Sequence, residues 1–328
     1  MSIRSQGNPS IKYASVWSKT GKGAVTPKPG PPKWYGERGC FGGGYTGSDQ
    51  NVIEYVTIDT TGNGTDFGDL TQARQYIAGA SSGTRGLWMG GGNASGTPYA
   101  VTDYITIGTL GNATDFGDPT VNRAGGGGCS NGLRAIMGGG YDNTSWPTNG
   151  TNTIDYYTIA TTGNATDFGD LLGQVQVLCG VNDATRGCFL GGNNDSDTRL
   201  NTIQYITMAT TGNSTDFGDL TNPTAYAGGG VDNNSRGVIG GGTEDGVGMT
   251  NKMEYITIAT TGNASDFGDL TEARFGPGGC GNQTRGIWGG GKGMTDTIDY
   301  VTIANTGNAT DFGNLTVSKQ GMSACSGD

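Results

Sequence analysis

Residues 158–171 read Thr-Ile-Ala-Thr-Thr-Gly-Asn-Ala-Thr-Asp-Phe-Gly-Asp-Leu, and this stretch recurs along the chain with small changes. Asp-Phe-Gly-Asp begins at Asp66, Asp115, Asp167, Asp216 and Asp266; a sixth copy, Asp-Phe-Gly-Asn, begins at Asp311. The spacings are 49, 52, 49, 50 and 45 residues. A period of this length is one supersecondary unit repeated in space. A motif present six times is not a single active site, so the repeat speaks for architecture first.

One copy defines the unit. Residues 185–192, Thr-Arg-Gly-Cys-Phe-Leu-Gly-Gly, read as a strand ending in glycines. Residues 201–210 alternate β-branched and aromatic side chains, the mark of a second strand. Thr-Gly-Asn-Ser (211–214) suits a tight turn, since Gly and Asn tolerate positive φ. Residues 215–220 predict a short third strand, and 225–231, Ala-Tyr-Ala-Gly-Gly-Gly-Val, a strand of small residues. Four antiparallel strands per repeat make a propeller blade. The glycine-rich strand (residues 125–128 and 228–230 in two copies) belongs innermost, where neighbouring backbones approach.

The first unit opens at its second strand, Glu37-Arg38-Gly39, and the chain finishes on Gly-Met-Ser-Ala-Cys-Ser-Gly-Asp (321–328), which matches an innermost strand. The expectation is an all-β, six-bladed propeller over residues 38–328. Its C-terminal strand would complete the N-terminal blade, closing the circle and removing both sheet edges.

Glycines ending one strand (90–92), then Tyr104, Phe116 and the junction arginines Arg74 and Arg274 give an order that resembles kelch-type propellers. Phe stands here where that family usually has Trp. The Thr-Gly-Asn-Ala-Thr-Asp-Phe-Gly-Asp repeat is also similar to repeats in proteins of marine bacteriophages, tail-associated ones included. That second resemblance implies a virion structural protein assembled in a host cytoplasm.

Composition narrows the chemistry. Glycine is 65 of 328 residues, roughly three times the usual share of about 7%. Histidine is absent, which removes Ser-His and Cys-His catalysis, histidine metal sites and the copper oxidase known on kelch-type propellers. Six copies of Asp-Phe-Gly without a phosphate loop or a His-Arg-Asp are no kinase. The motif is given a structural role: Asp holding a turn, Phe packing between blades. Asn-x-Ser/Thr at Asn63, Asn112, Asn164, Asn213, Asn263 and Asn308 keeps a fixed place in the repeat and reads as a turn signature. No cofactor and no metal are expected. Cys40, Cys129, Cys179, Cys188, Cys280 and Cys325 lack zinc-site spacing; they read as small buried side chains, with Cys179–Cys188 the one candidate bridge. Asn-Asn-Asp-Ser-Asp (193–197) holds enough oxygens for Ca²⁺ but lacks a complete loop spacing.

Charge divides the chain. Residues 1–33 hold six of the 19 basic residues and no acid, which leaves 13 basic against 29 acidic residues beyond them. An acidic body repels phosphate, so nucleic acid is not an expected partner. No apolar run approaches the ~18 residues of a membrane span. The opening Met-Ser-Ile-Arg-Ser-Gln-Gly-Asn lacks an apolar export core. The basic, Pro-rich stretch 1–37 is expected to be an extended docking arm, with Ile11, Tyr13, Val16 and Trp17 as its anchors to other virion proteins and several copies per assembly.

Two sets of residues are candidates for contacts. Arg38, Arg85, Arg134, Arg186, Arg236 and Arg285 begin equivalent strands and would line one face, either satisfying carbonyls or a neighbouring carboxylate, or binding an anion. On the opposite face, loops 45–51, 93–101, 141–153, 193–201, 243–252 and 292–297 differ while their frame repeats. Loops on a rigid scaffold are where recognition concentrates. Tyr45, Tyr99, Tyr141 and Trp146 offer flat apolar faces; Asp142, Asp195, Asp197, Arg199 and Asp245 offer hydrogen bonds. That mixture suits a sugar, so a host-surface glycan is the expected ligand. A glycan-active enzyme with a carboxylate pair among these acids, or a cytosolic peptide-binding scaffold, are the alternatives.

Overall fold

The structure is a computed structural model and describes residues 33–142, 149–293 and 295–328. Ile11, Tyr13, Val16, Trp17 and Trp146 therefore lie outside the described residues. Among those described there is no helix. The strands form seven antiparallel sheets, six of four strands and one of three, a propeller-like all-β fold.

Each four-stranded sheet repeats one plan. The sheet of Ala78–Ser81, Arg85–Met89, Thr102–Thr106 and Thr114–Gly117 serves as the example. Its second strand is buried on both faces after the leading Arg, and its fourth leaves Thr114 and Asp115 exposed and buries Phe116 and Gly117. The sheet that begins at Arg38 takes its first strand from the far end of the chain. Ser323–Gly327 pairs antiparallel with Arg38–Gly42, Cys325 opposite Cys40.

The role of Asp-Phe-Gly emerges from the pairing register. In the Arg38 sheet Ile53 faces Gly68 while Glu54 faces Asp66, so Phe67 is an extra residue without a partner. The register slips at the same place in all six sheets. This is a β-bulge, which bends a strand and re-aims a side chain. Here it turns the Phe into the core, edge-on to the Tyr of the third strand at 5.6–6.1 Å between ring centroids. The motif's first Asp is exposed in every copy and holds no turn, contrary to expectation.

The turn is held by the neighbouring sheet. Gly111 of Leu-Gly-Asn donates its N–H to the carbonyl of Phe67, and Asn112 Oδ1 accepts from the Asp69 N–H at 3.1 Å. A Cβ on Gly68 would stand 2.5 Å from the Gly111 carbonyl oxygen. Every sheet clasps the next in this way, and the bulge of the last accepts the turn of the first, through Gly62 N–H to the Phe312 carbonyl and Asn314 N–H to Asn63 Oδ1.

The first strands stand side by side in chain order, with Gly278–Gly281 against Ser323–Gly327. Their closeness explains the glycines: a Cβ on Gly128 would lie 2.3 Å from the Gly79 carbonyl oxygen, and one on Gly279 only 1.9 Å from that of Gly229. Each first strand also wedges a side chain against the next sheet's Arg-Gly. A Cβ on Gly187 would meet Cys129 Sγ at 2.5 Å, and one on Gly237 would meet Val181 at 2.6 Å. The one Arg-Ala, Arg134-Ala135, shares its core cluster with Ala80, the smallest of the six wedges. Volume is conserved across the junction. The six thiols are free and buried; no Cys179–Cys188 bridge exists, because Cys188 is paired with Val181 and Cys179 with Leu190.

Two expectations need correction. The strand placed at 225–231 is broken at Tyr226, whose φ of +55° is not extended; only Val231–Asp232 joins the four-stranded sheet. Thr224–Ala225 instead joins Thr243–Glu244 and Gly248–Met249 in the seventh sheet. That sheet enlarges a contact that elsewhere is a pair of single bridges, such as Gln75 to Gly92 and Gly92 to Pro98. Residues 33–37, counted with the arm from sequence, pack on the sheets. Trp34 is buried, its carbonyl accepts from the Ser81 hydroxyl, and Glu37 N–H donates to Asp328 Oδ1 at 2.9 Å.

Candidate recognition face

The residue two places before each first strand, or at its irregular counterpart in the fifth sheet, has positive φ. Gly125, Gly276 and Gly321 occupy three of these places, where left-handed backbone costs glycine nothing. Tyr76, Val177 and Tyr226 occupy the other three at +53° to +55°. Such a conformation costs a side-chain-bearing residue roughly 1–2 kcal/mol, and a β-branched residue adopts it rarely.

Hydrogen bonds hold the conformation. Tyr76 N–H donates to the carbonyl of Gly321, Gly125 to Tyr76, Val177 to Gly125, Tyr226 to Val177, Gly276 to Tyr226, and Gly321 back to Gly276, at 2.6–3.0 Å. The six residues form a closed circuit of backbone hydrogen bonds.

A cavity of about 140 Å³ lies among the first strands below this circuit. Ser81, at the far end of its strand, bonds to Trp34, and Trp34 Nε1 donates to Asp232 Oδ1 at 3.0 Å. Burial raises the Asp232 carboxyl to about 7, against the opposing pull of the Trp34 and Asn182 N–H donors. At the circuit's end the cavity is lined by Tyr76 and Tyr226, whose rings lie 6.2 Å apart, with Phe275 5.1 Å from Tyr226. Burial raises the hydroxyls of Tyr76, Tyr141 and Tyr226 above their ordinary value. Asp197 and Arg199 act on the Tyr226 hydroxyl in opposite senses.

This rim shares its face with the variable loops. Asp195 Oδ1 accepts from Gly150 N–H at 2.6 Å and Asp197 Oδ1 from Asn193 Nδ2 at 2.8 Å. Arg199 pairs with Asp245 at 2.6 Å and donates from Nε to Thr243. Asp195, Arg199 and Asp245 thus tie adjacent loops together, while Asp197 braces its own loop. Tyr141 is buried beside the rim; Asp142 is exposed. Tyr45 and Tyr99 are half-buried on their own loops, fixed by backbone bonds to Gln320 and Gly91. Tyr76, Tyr226 and Phe275 were not foreseen. The signal for Tyr76 and Tyr226 was a repeat position that holds Gly in three copies and a large residue in the other three.

The six repeat-start arginines lie at the other end of the strands. Each stacks on the Tyr of its own sheet, 4.2–4.9 Å from the ring centroid. Each also donates to a main-chain carbonyl of another sheet: Arg38 to Ile107, Arg85 to Ile159, Arg134 to Met208, Arg186 to Ile258, Arg236 to Ile303 and Arg285 to Ile58. Their contacts are carbonyls and tyrosines, not the carboxylate of Asp-Phe-Gly.

No protein-family model and no curated protein matches the chain.

Chemical groups suited to catalysis are sparse. Among the described residues no three metal-ligating side chains cluster. Burial pushes the thiols of Cys40, Cys179 and Cys188 up to about 12, so they are not nucleophiles at neutral pH. Oδ1 of Asp195 and of Asp197 serve loop donors, and Asn194 Oδ1 caps Ser196 and Thr198.

Proposed function

We propose that the six four-stranded sheets are blades of one closed, kelch-like propeller, and that the chain is a non-enzymatic virion protein binding a host-surface glycan. The clasps and the hydrogen-bond circuit, both of which return from the last repeat to the first, support closure. The likeness of the repeat to marine phage tail proteins supports the virion setting. In it, the basic stretch before residue 33 docks several copies onto other virion proteins.

The observation that carries recognition is the aromatic rim. Tyr76 and Tyr226 are held at positive φ, where glycine would be less strained, on the face with the variable loops. Strain retained at one place in a repeat marks a role beyond folding. Flat rings beside Asp197 and Arg199 match a sugar's apolar faces and hydroxyls. Against the glycan-active alternative, three of the four candidate acids, Asp195, Asp197 and Asp245, already serve structural bonds.

The reading is tested by imaging the parent assembly and by glycan-array binding of wild type and Tyr226→Ala. Particle-bound density and loss of array signal are expected. A chain absent from any particle refutes the virion setting; array signal untouched by the substitution refutes the rim.

A further inference from the structure

One junction breaks the repeat and opens a groove. Elsewhere a cation follows the fourth strand and is buried on an acid of another strand: Arg74 on Asp103, Arg123 on Asp155, Arg274 on Asp299 and Lys319 on Glu54, at 2.7–3.0 Å. Where Thr224 replaces the cation, Lys252 reaches Glu254 at 3.2 Å instead. At the remaining junction both charges are gone. Val175 stands for the cation and Gln204 for the acid.

Arg74 fills its junction, donating to the carbonyls of Gly90 and Trp88 as well as to Asp103. Val175 is too short to do so. A groove of about 400 Å³ lies there, with Leu172, Gln174, Val175, Asn194, Asp195 and Leu200 in its walls and Gln204 on its floor. Gln204 Oε1 accepts from Leu172 N–H and the Ser214 hydroxyl, both at 2.8 Å, which leaves Nε2 as a donor. Asp195 gives Oδ1 to Gly150 and keeps Oδ2. Leu172 is 56% exposed, an apolar surface at the groove's edge.

No cation lines the groove, and Arg199 is held by Asp245. An acidic ligand would meet Asp195 with nothing to pair its charge. Hydroxyl groups match amide donors and acceptors, and the leucines match the apolar face of a pyranose. We infer that this groove is the subsite for a neutral hexose unit; the inference rests on the glycan-binding reading above.

The test compares wild type with Val175→Arg/Gln204→Asp, which rebuilds the ion pair of the other junctions and fills the groove. Maltose, lactose and digalacturonate serve as probes in saturation-transfer NMR and titration. Wild type should bind a neutral disaccharide, with millimolar affinity typical of a single small ligand contact, and the double variant should lose about tenfold or more. Its melting temperature should stay close to that of wild type, confirming that it folds. Unchanged affinity in the variant, tighter binding of digalacturonate, or no neutral sugar bound by wild type overturns the inference. The array experiment with Tyr226→Ala decides independently whether recognition elsewhere on the face survives.

Discussion

The main-chain N–H of Tyr76 donates to the carbonyl of Gly321 at 2.7 Å, joining the second sheet to the last stretch of the chain. The same bond recurs between every pair of adjacent first strands, and they pack too closely for a Cβ at several points. Gly279→Ala should therefore be severe, because its Cβ would stand 1.9 Å from a main-chain oxygen that cannot swing away. A loss of roughly 2–4 kcal/mol is expected from such overpacking. Gly173→Ala, with open space around its Cβ and no positive φ, should change stability by less than about 0.5 kcal/mol. Urea unfolding of the two variants checks the contrast.

The buried ion pairs invite a double-mutant cycle. Arg74 and Asp103 are both fully buried, and burial pulls the guanidinium below its usual value while Asp103 opposes that shift. Arg74→Val alone strands a carboxylate and should cost about 3–5 kcal/mol. Arg74→Val with Asp103→Gln reproduces the neutral pair already present at Val175 and Gln204, and should recover most of that loss. Additive losses in the cycle would show that the two side chains do not act as a pair.

Asp232 should make stability fall as pH rises. Its carboxyl is raised to about 7 in the folded chain, against about 3.9 when unfolded. Between those values the native state binds the extra proton, so this contribution is complete below pH ~4 and lost on passing pH ~7. The lost stabilisation is at most roughly 4 kcal/mol, less where solvent reaches the group. Asp183 lies close and adds to the upward shift. Asp232→Asn should flatten the curve between about pH 4 and pH 7; chemical denaturation across that range is the measurement.

Thiol chemistry offers a simple check on packing. With all six cysteines buried and free, native protein should react with none of a thiol reagent over minutes, and protein in guanidinium should react at six sites per chain. One or two fast thiols in the native state would show a first or second strand that is not seated.

Much of this was legible because repetition averages out local ambiguity. Six copies of Arg, Tyr, Phe and Gly at fixed spacing gave the strands, and the Asn of Thr-Gly-Asn gave its turn. What the Asn holds was not legible, since its partner, the Asp69 N–H, belongs to the preceding repeat. The same blindness hid the pairing of Arg74 with Asp103 and the use of Asp195 by Gly150. Propensity alone made Tyr226 part of a strand; the circuit of hydrogen bonds overrode it. The fit of the Arg-Ala at 134–135 to Ala80 was not legible either, since the two alanines belong to different repeats.

The clasp between Asn63 and Asn314 makes the same hydrogen bond, at 3.1 Å, as the clasp between Asn112 and Asp69. On the closed ring proposed above, where the polypeptide is cut is a matter of convenience. A rearranged gene that starts at Gly173 and links Asp328 to Trp34 through a few flexible residues should encode a chain that folds into the same sheets, which circular dichroism and urea unfolding would check. The bonds that meet at the old termini would become ordinary interior ones.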